Sequence, residues 1–264
     1  MHIPDCVISS RPRHHCVYAA CDGAYFEQFA GTLARSVIAH TDLDIHFHVF
    51  DPDPEQLDWC AANPRITYSH ETVPAEWFEP AAKYWQTASL DSAQQNHLDR
   101  THNAMNKGRD RDLQHRLQKT YYACVRFVRL AELFDPTAHM FAMDVDAIVR
   151  SPLISPGFQH GFYIHRIHGR RARYLAGGIW LNPCKANQAF LEAYNRAIRD
   201  YFDRDYIYWG IDQDVLEHVV PAHDHGELPI SYIDWNMQPG SAVWTAKGAR
   251  KDDQQFLAVK ALYA

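Results

Sequence analysis

Six Asp-x-Asp pairs occur in the 264-residue chain, and the pair formed by Asp144 and Asp146 is the one most suited to chemistry. The pairs begin at positions 42, 51, 110, 144, 203 and 212, where chance gives about two, so the motif alone says little. Only the pair at 144 lies between two apolar runs, residues 140–143 and 147–149, which predicts that it ends a buried strand. Two buried carboxylates are costly unless a cation neutralises them, and their hard oxygen atoms suit Mn²⁺ or Mg²⁺ with phosphate oxygens completing the shell. We therefore predict a divalent-metal site here, with a strand end and one capping aspartate as the alternative.

The first 70 residues alternate between strand and helix signals. Residues 16–20 form an apolar run that ends in a Cys-Asp-Gly turn, which is typical of a strand buried on both faces. Apolar side chains at helical spacing follow over 26–38, then a strand pattern at 45–50, a short helix at 55–62 and a strand at 66–69. This order predicts an α/β fold with a mostly parallel central sheet and a Rossmann-like nucleotide-binding half, whose ligand lies at the carboxyl ends of the strands.

The rest of the chain contains one unusual segment, a polar stretch at 81–119 that we interpret as a variable or partly helical insertion. A long amphipathic helix is predicted at 117–134. Further elements are a buried strand at 139–143, an apolar glycine-containing segment at 176–181, helices at 186–201 and from 212, and an irregular tail. We expect one domain over 1–264, with a nucleotide-binding half at 16–146 and a smaller acceptor-side half and tail at 147–264.

The composition excludes several classes of protein. A hydrophobic content of 47% is too high for a disordered chain. A net charge of −6 without a run of five like charges argues against nucleic-acid or acidic-lipid partners. Six scattered cysteines without Cys-x-x-Cys favour reduced thiols. No apolar stretch reaches the roughly 18–20 residues of a membrane span, and no signal-peptide pattern is present, so we expect a cytoplasmic protein without a transmembrane segment.

Five segments occur in an order that resembles a known enzyme family. They are the strand at 16–20 with Asp22, a helix with Tyr122 and Arg126, the strand end at 141–146, Gly-Gly-Ile-Trp-Leu-Asn at 177–182, and Asp-Gln-Asp-Val-Leu at 212–216. The set resembles nucleotide-sugar glycosyltransferases of the GT-A fold, specifically the retaining family 8 type that includes bacterial lipopolysaccharide galactosyltransferases and glycogenins. The resemblance runs from residue 16 to about residue 251. It implies metal-dependent transfer of a hexose from a nucleotide diphosphate sugar, expected to be UDP-linked, to a glycan or other hydroxyl acceptor.

The same resemblance implies roles in donor binding. Ala19 and Asp22 would line the uridine pocket, and Arg126 would face the diphosphate or the donor sugar. Asp144 and Asp146 would bind the metal that bridges the diphosphate. A plainer interpretation of Arg126 is a surface helix residue.

Donor-sugar and catalytic roles are implied for a further set of residues. Val145, Gly177 and Gly178 would contact the donor, the glycines by letting the backbone approach the sugar. Catalytic roles would fall to Asp212, Gln213 and Asp214. Of these, Asp212 would hydrogen-bond sugar hydroxyls, and Gln213 would stabilise the anomeric centre through its amide oxygen. The plainer interpretations are a β-bulge for the glycines and a helix N-cap for Asp212.

Two departures from the family pattern concern the site. An Asn-Ala-Gly or Asn-Ser-Gly element is replaced by Ala-Gly-Gly at 176–178, which removes one expected sugar or acceptor contact. The family's closing His-x-x-Gly-x-x-Lys-Pro-Trp element supplies the third metal ligand, and here no histidine follows His225. In the segment 244–251, Lys247 and Lys251 would still neutralise a diphosphate from a closing tail, with a solvated basic turn as the alternative.

Two other functions stay open at this stage. In a haloacid-dehalogenase-like phosphatase, Asp144 would be the nucleophile and Asp146 the acid/base, although that motif normally opens its domain. A catalytically silent sugar- or nucleotide-binding domain is the second. As rival metal sites, His223-Asp224-His225 and the His165-x-x-His168 spacing lack a convincing set of further ligands.

Overall fold

Eight strands form a central sheet to which both halves of the chain contribute. The structure is a computed structural model that describes residues 3–87, 89–105, 113–167, 173–246 and 248–264. In spatial order the strands are β1 (Val7–Ile8), β4 (Ile66–Glu71), β3 (Asp44–Phe50), β2 (Cys16–Asp22), β5 (Met140–Met143), β8 (Arg173–Leu181), β7 (Phe162–Ile167) and β9 (His225–Glu227). Strands β4, β3, β2 and β5 run parallel, as do β7 and β9, whereas β8 is antiparallel to both of its neighbours. The prediction of an α/β fold with a mostly parallel central sheet is confirmed.

A second, three-stranded sheet lies beside the end of β5. It consists of β10 (Ile233–Asp234), β11 (Val243–Thr245) and β6 (Ala147–Val149). Strand β6 begins directly after Asp146, so the chain passes from the large sheet to the small one through the Asp pair, our name for Asp144 and Asp146. The antiparallel register of β11 and β6 places Thr245 opposite Ala147 and therefore next to that pair.

Helices cover both faces of the large sheet. They are α1 (Gly23–Tyr25), α2 (Gly31–His40), α3 (Pro54–Ala61), α4 (Glu79–Thr87), α5 (Ser92–Met105), α6 (Leu113–Leu133), α7 (Ala186–Asp203), α8 (Ile211–Val219) and α9 (Gln254–Ala261). A π-helical turn, Phe26–Ala30, joins α1 to α2, and short 3₁₀ turns occupy Ala75–Phe78, Val220–Ala222 and Gly248–Asp252. One core lies between the sheet and α6, α7 and α8, and the other between the sheet, α2 and the small sheet. None of the helices in the described part of the chain combines the length and apolar character needed to cross a bilayer.

The structure sharpens one of the sequence predictions, corrects another and adds short strands that were not predicted. The stretch at 81–119 is largely helical where it is described, because α4 and α5 precede α6 and α6 begins at Leu113. The tail is not irregular, since α9 closes the chain and buries Phe256. Short strands such as β6, β10 and β11 were not predicted, because two or three residues are too few to show an alternating pattern.

Candidate active site

The Asp pair lies just beyond the carboxyl end of β5, as the sequence predicts. Asp144 is half-buried, and its Oδ1 accepts a 2.6 Å hydrogen bond from Nη1 of Arg126. Asp146 is buried, and its Oδ2 lies 2.8 Å from Nζ of Lys251. Its Oδ1 accepts a 3.1 Å hydrogen bond from the hydroxyl of Thr245. Each carboxylate therefore has a cationic side chain as a direct partner.

Burial and mutual repulsion set the charge balance of the pair. Burial, followed by the charge of Asp144, raises the pKa of Asp146, while Lys251 and Thr245 partly offset the rise. Burial alone would lower the pKa of the Lys251 ammonium, but Asp146 outweighs it and raises that pKa. The two groups stabilise each other's charged forms in a region that water reaches poorly.

Arg126 connects the Asp pair to α8. This arginine lies on α6, and its Nη2 is 3.6 Å from Oδ2 of Asp212, while its Nη1 contacts Asp144. Burial opposes the charge on the guanidinium, but Asp144 and then Asp212 outweigh it, so the pKa of Arg126 is raised. A positive charge with two anionic partners is thus fixed between the end of β5 and the start of α8. The plainer interpretation of Arg126 as a surface helix residue is wrong.

The first turn of α8 holds the three predicted catalytic residues. The helix N-cap is Gly210 with a φ of 101°, a conformation that residues with a Cβ rarely adopt. Asp212 is therefore not the N-cap, and its buried carboxylate is directed towards Arg126 instead. The Tyr208 hydroxyl donates a 2.8 Å hydrogen bond to Oδ2 of Asp214. Both carboxylates lie in the first turn, where the helix dipole favours negative charge.

The amide of Gln213 contacts the backbone of β8. In the orientation that satisfies both amide atoms, its nitrogen donates to the carbonyl oxygen of Tyr174 at 2.5 Å, and its oxygen accepts from the N–H of Ala176 at 3.1 Å. The side chain is therefore held between α8 and β8, next to Asp212. The predicted contact of its amide oxygen with an anomeric carbon stays a prediction, and the geometry adds a positioning role.

A large β-bulge interrupts β8 beside the Asp pair. Ile164 of β7 pairs with Ile179, and Arg166 pairs with Tyr174, so residues 175–178 face the single residue between those β7 partners. We call residues 175–178 the β8 bulge. A Cβ on Gly177 would lie 2.6 Å from Oδ2 of Asp144. The glycine is thus required by the close approach of an aspartate, and the bulge interpretation of the two glycines is correct.

Of the remaining predicted donor-binding residues, Asp22 forms polar contacts, whereas Ala19 and Val145 lie in the apolar core. Asp22 ends β2, accepts a 2.9 Å hydrogen bond from the N–H of Tyr25 and forms an ion pair with Lys119. Ala19 and Val145 are enclosed by the apolar core, so neither presents a side-chain surface at this edge of the sheet. Lys247 lies outside the described residues.

The histidine segment at 223–225, one of the two rival metal sites, forms hydrogen bonds within the protein. Asp224 accepts a 2.7 Å hydrogen bond from Nδ1 of His160, and Nδ1 of His225 lies 2.9 Å from the carbonyl of His223. His168 lies outside the described residues. Across the described ranges, no group of three or more His, Cys, Asp or Glu side chains is placed to hold a metal ion.

Several solved glycosyltransferases share this arrangement of elements. The galactosyltransferase LgtC, in complex with donor and acceptor sugar analogues, matches with a TM-score of 0.54 and 12% identity over 93% of this chain and 95% of that chain. The chain adopts the GT-A fold. The bifunctional glycosyltransferase WbbM (TM-score 0.53, 13% identity, 94% of this chain and 50% of that chain) and GlyE from Streptococcus pneumoniae TIGR4 (0.53, 14%, 95% and 60%) also match. So does an active-site glutamine-to-glutamate mutant of LgtC (0.51, 15%, 93% and 95%).

Comparison of sequences does not assign the chain to a family. Neither a known protein family nor a curated protein matches the chain by sequence. At 12–15% identity the likeness establishes the fold, and the activity rests on the site itself.

Sequence reasoning missed two polar residues that contact predicted site residues: Thr245, which binds Asp146, and Lys119, which pairs with Asp22. Thr245, Gly248 and Lys251 have the spacing of the family's His-x-x-Gly-x-x-Lys element, with threonine in place of histidine, and that spacing was the available signal. For Lys119, the signal was its helical spacing with Tyr122 and Arg126, which places all three on one face of α6.

Proposed function

We propose that this protein transfers a hexose from a nucleotide diphosphate sugar, expected to be UDP-linked, to a hydroxyl of a glycan or other acceptor. The observation that carries the proposal is the bridge formed by Arg126 between Asp144 and Asp212. It joins an Asp-x-Asp pair to the first turn of α8 within a GT-A fold. A site for transfer needs a group that binds the leaving diphosphate beside a group that holds the sugar. We assign the Asp144 end of the bridge to the first task and the Asp212 end to the second.

The Asp pair fits a hard divalent cation such as Mn²⁺ or Mg²⁺. Two carboxylates and the Thr245 hydroxyl offer only oxygen ligands, which these ions accept, with diphosphate oxygens filling further positions. When bound, such an ion would supply charge stabilisation for the leaving diphosphate. Lys251 already contacts Asp146, so the protein itself provides a second positive group at the same carboxylate.

Arg126 and Lys251 would stabilise the charge that develops on the leaving group. Both cations are held in place by carboxylates before any ligand arrives, so little reorganisation is needed during the reaction. The uridine would lie beyond the carboxyl end of β2, near Asp22. Lys119, paired with Asp22, would hold that carboxylate in position.

Asp212 and Gln213 would act on the donor sugar. Asp212 is buried close to Arg126 and would accept hydrogen bonds from sugar hydroxyls. Gln213 is too weak a nucleophile to form a covalent intermediate easily, so we assign it to electrostatic stabilisation of the anomeric centre. LgtC has a glutamine in its active site, as its glutamine-to-glutamate active-site mutant shows. We extend the proposal to retention of the anomeric configuration.

The phosphatase alternative loses its support in this fold. Its nucleophile motif opens a domain, whereas Asp144 follows the fifth strand of a GT-A sheet and its carboxylate is held by Arg126. A silent binding domain is distinguished by experiment only.

A donor screen tests the binding part of the proposal. Thermal unfolding is measured with UDP-, GDP- and ADP-sugars, each with and without Mn²⁺. We expect a rise in the midpoint with UDP-sugars plus Mn²⁺, because a ligand that binds only the folded state stabilises it. The Asp144→Asn variant is the control and should lose the metal-dependent part of the rise. No rise with any nucleotide sugar contradicts the proposal.

A further inference from the structure

A small pocket that is partly open to solvent lies at the β8 bulge. Its lining comes from three sources: the bulge with the facing residue of β7, the Asp pair with β11, and the small sheet at β10. The residues are Asp144, His165, Leu175, Gly177, Gly178, Ile233, Trp235 and Thr245.

The two sides of this pocket differ in polarity. Trp235, Ile233 and Leu175 supply an apolar wall, whereas Asp144 and His165 supply hydrogen-bonding groups. A hexopyranose has the same division, because its axial C–H bonds form an apolar face and its hydroxyls project from the ring edge. Aromatic rings carry negative charge on their faces, which attracts weakly polarised C–H groups.

Trp235 is held in place before a ligand binds. The preceding residue, Asp234, is fully buried, and its carboxylate accepts hydrogen bonds from the N–H groups of Asn236 and Gln238, each at 2.7 Å. The hydroxyl of Ser241 donates a third at 3.1 Å. These bonds fix the turn that carries Trp235, so binding would cost little loop entropy.

The ring of His165 packs against the indole of Trp235. The two rings meet edge to face, with centroids 5.3 Å apart, and His165 is itself buried in β7. It is the residue that faces the β8 bulge across the β7–β8 pairing. The bulge therefore opens the sheet at the position where His165 and Trp235 meet.

We propose that Trp235 is the stacking platform for a hexopyranose ring, with the ring hydroxyls directed towards Asp144 and His165. This deepens the proposed function and rests on it, because the sugar would belong either to the donor or to the acceptor. His165 is a positioning residue for the indole. The stacking surface selects a pyranose that presents an uninterrupted C–H face.

Two substitutions distinguish the effect of the aromatic face from that of side-chain volume: Trp235→Phe keeps an aromatic face, and Trp235→Leu removes it. Calorimetry with Mg²⁺ measures affinity for UDP, for UDP-galactose and UDP-glucose, and for the methyl hexosides with UDP bound. If the donor sugar stacks on Trp235, we expect Trp235→Leu to lower the affinity for the UDP-hexoses roughly tenfold. If the acceptor sugar stacks there, the affinity for the methyl hexosides should fall by the same factor. UDP affinity should not change, and Trp235→Phe should retain most of the sugar affinity.

Fluorine NMR gives a readout that does not depend on the leucine variant folding. The protein is labelled with 5-fluorotryptophan at its seven tryptophans, and the Trp235 resonance is the one that Trp235→Phe lacks. It should shift with a UDP-hexose beyond its position with UDP, or with a methyl hexoside added to the UDP complex. His165→Asn should broaden or move this resonance without ligand.

The outcomes distinguish this inference from the proposed function. Wild-type protein that binds UDP-hexoses, with equal affinities in Trp235→Leu and no shift of the Trp235 resonance in either arm, overturns the stacking role alone. If Trp235→Leu lowers the affinities for UDP and UDP-hexose equally, the stacking role is also overturned, since the effect of the substitution would then be structural. Wild-type protein that binds neither UDP nor any UDP-hexose overturns both proposals.

Discussion

Nη1 of Arg126 donates a 2.6 Å hydrogen bond to Oδ1 of Asp144. This bond joins the middle of α6 to the end of β5, two elements that pack on the same core. The side chain of Arg126 is 15% exposed and that of Asp144 is 21% exposed, so both reach the site while remaining partly shielded from water. Charge-assisted hydrogen bonds of this kind are stronger than neutral ones. The pair therefore fixes the geometry against which a diphosphate would bind.

Gly177→Ala should disturb this bond without unfolding the protein. The added Cβ would lie 2.6 Å from Oδ2 of Asp144, so the carboxylate must shift from the position in which Arg126 binds its Oδ1. We expect metal-dependent UDP affinity to fall at least tenfold, as measured by calorimetry. Gly240→Ala is the matched control, because nothing lies within 4 Å of its Cβ. Similar losses in both variants would show that the effect is not specific to Asp144.

Lys251→Ala should weaken the binding of UDP and leave the binding of uridine unchanged. The ammonium lies at Asp146 and over the ring of Tyr25, 4.1 Å from its centroid, in position to meet a diphosphate. Loss of one charge-assisted hydrogen bond should cost about 1–3 kcal/mol of UDP binding. Lys260→Ala on α9 is the matched control, since Lys260 lies over Phe29 instead. Calorimetry with both ligands measures the two affinities. If Lys251→Ala lowers the affinity for uridine as much as that for UDP, Lys251 has a structural role.

Gln213→Ala should lower turnover far more than donor affinity. A contact that strengthens in the transition state affects kcat, whereas a uniform contact affects KM. Steady-state kinetics together with UDP-hexose binding separate the two effects. If binding falls in parallel with kcat, the bonds from Gln213 to Tyr174 and Ala176 explain the residue fully.

Anomeric retention is checked separately from any variant. Proton NMR of freshly formed product reports the configuration through the anomeric coupling constant. We expect the configuration of the donor sugar to be kept. An inverted product contradicts the retaining part of the proposal and leaves sugar transfer intact.

Stability should fall as the pH falls below about 6.5. His46 lies buried between the hydroxyls of Thr67 and Ser69, and burial, followed by His48, lowers its pKa from 6.5 to about 3. Burial also lowers the pKa of His48. Between pH 6.5 and about pH 3 the unfolded chain therefore carries a proton on His46 that the folded chain does not, which lowers stability by about 1.4 kcal/mol per pH unit. His48 acts in the same direction.

Urea unfolding at pH 7.5 and pH 5.5 measures this effect. The free energy of unfolding should be lower at pH 5.5, and His46→Gln should reduce the difference by removing one titrating group. A free energy that is equal at both pH values would contradict the assignment of His46 and His48 as neutral.

The sequence predicts the strands and helices of residues 16–71 well, because most of them are strongly patterned. The predicted strand at 45–50 and helix at 55–62 agree with β3 and α3 to within one residue at each end. The end of β5 at the Asp pair is also located correctly, since only that pair has apolar flanks.

The direct contacts of Arg126, Lys251 and Thr245 with the Asp pair were not predicted, although Arg126 and Lys251 were named as site residues, because a contact between separate segments depends on how they pack in the fold. Arg126 precedes Asp144 by 18 residues, while Lys251 and Thr245 follow Asp146 by about a hundred. The β8 bulge depends on the pairing of two strands and has no signal beyond the two glycines. Trp235 was not identified either, since a single tryptophan in a loop carries no periodic pattern.

Release of UDP from the UDP-hexose chosen by the donor screen tests the central claim most directly. Wild-type protein with Mn²⁺ should release UDP, faster when a hydroxyl acceptor is supplied, and the hexose should appear on the acceptor. Asp212→Asn should abolish the transfer while still binding UDP, because its carboxylate is assigned to the sugar and not to the nucleotide. Release of inorganic phosphate instead of UDP, or binding of the donor with no release in any acceptor mixture, would contradict a hexosyltransferase.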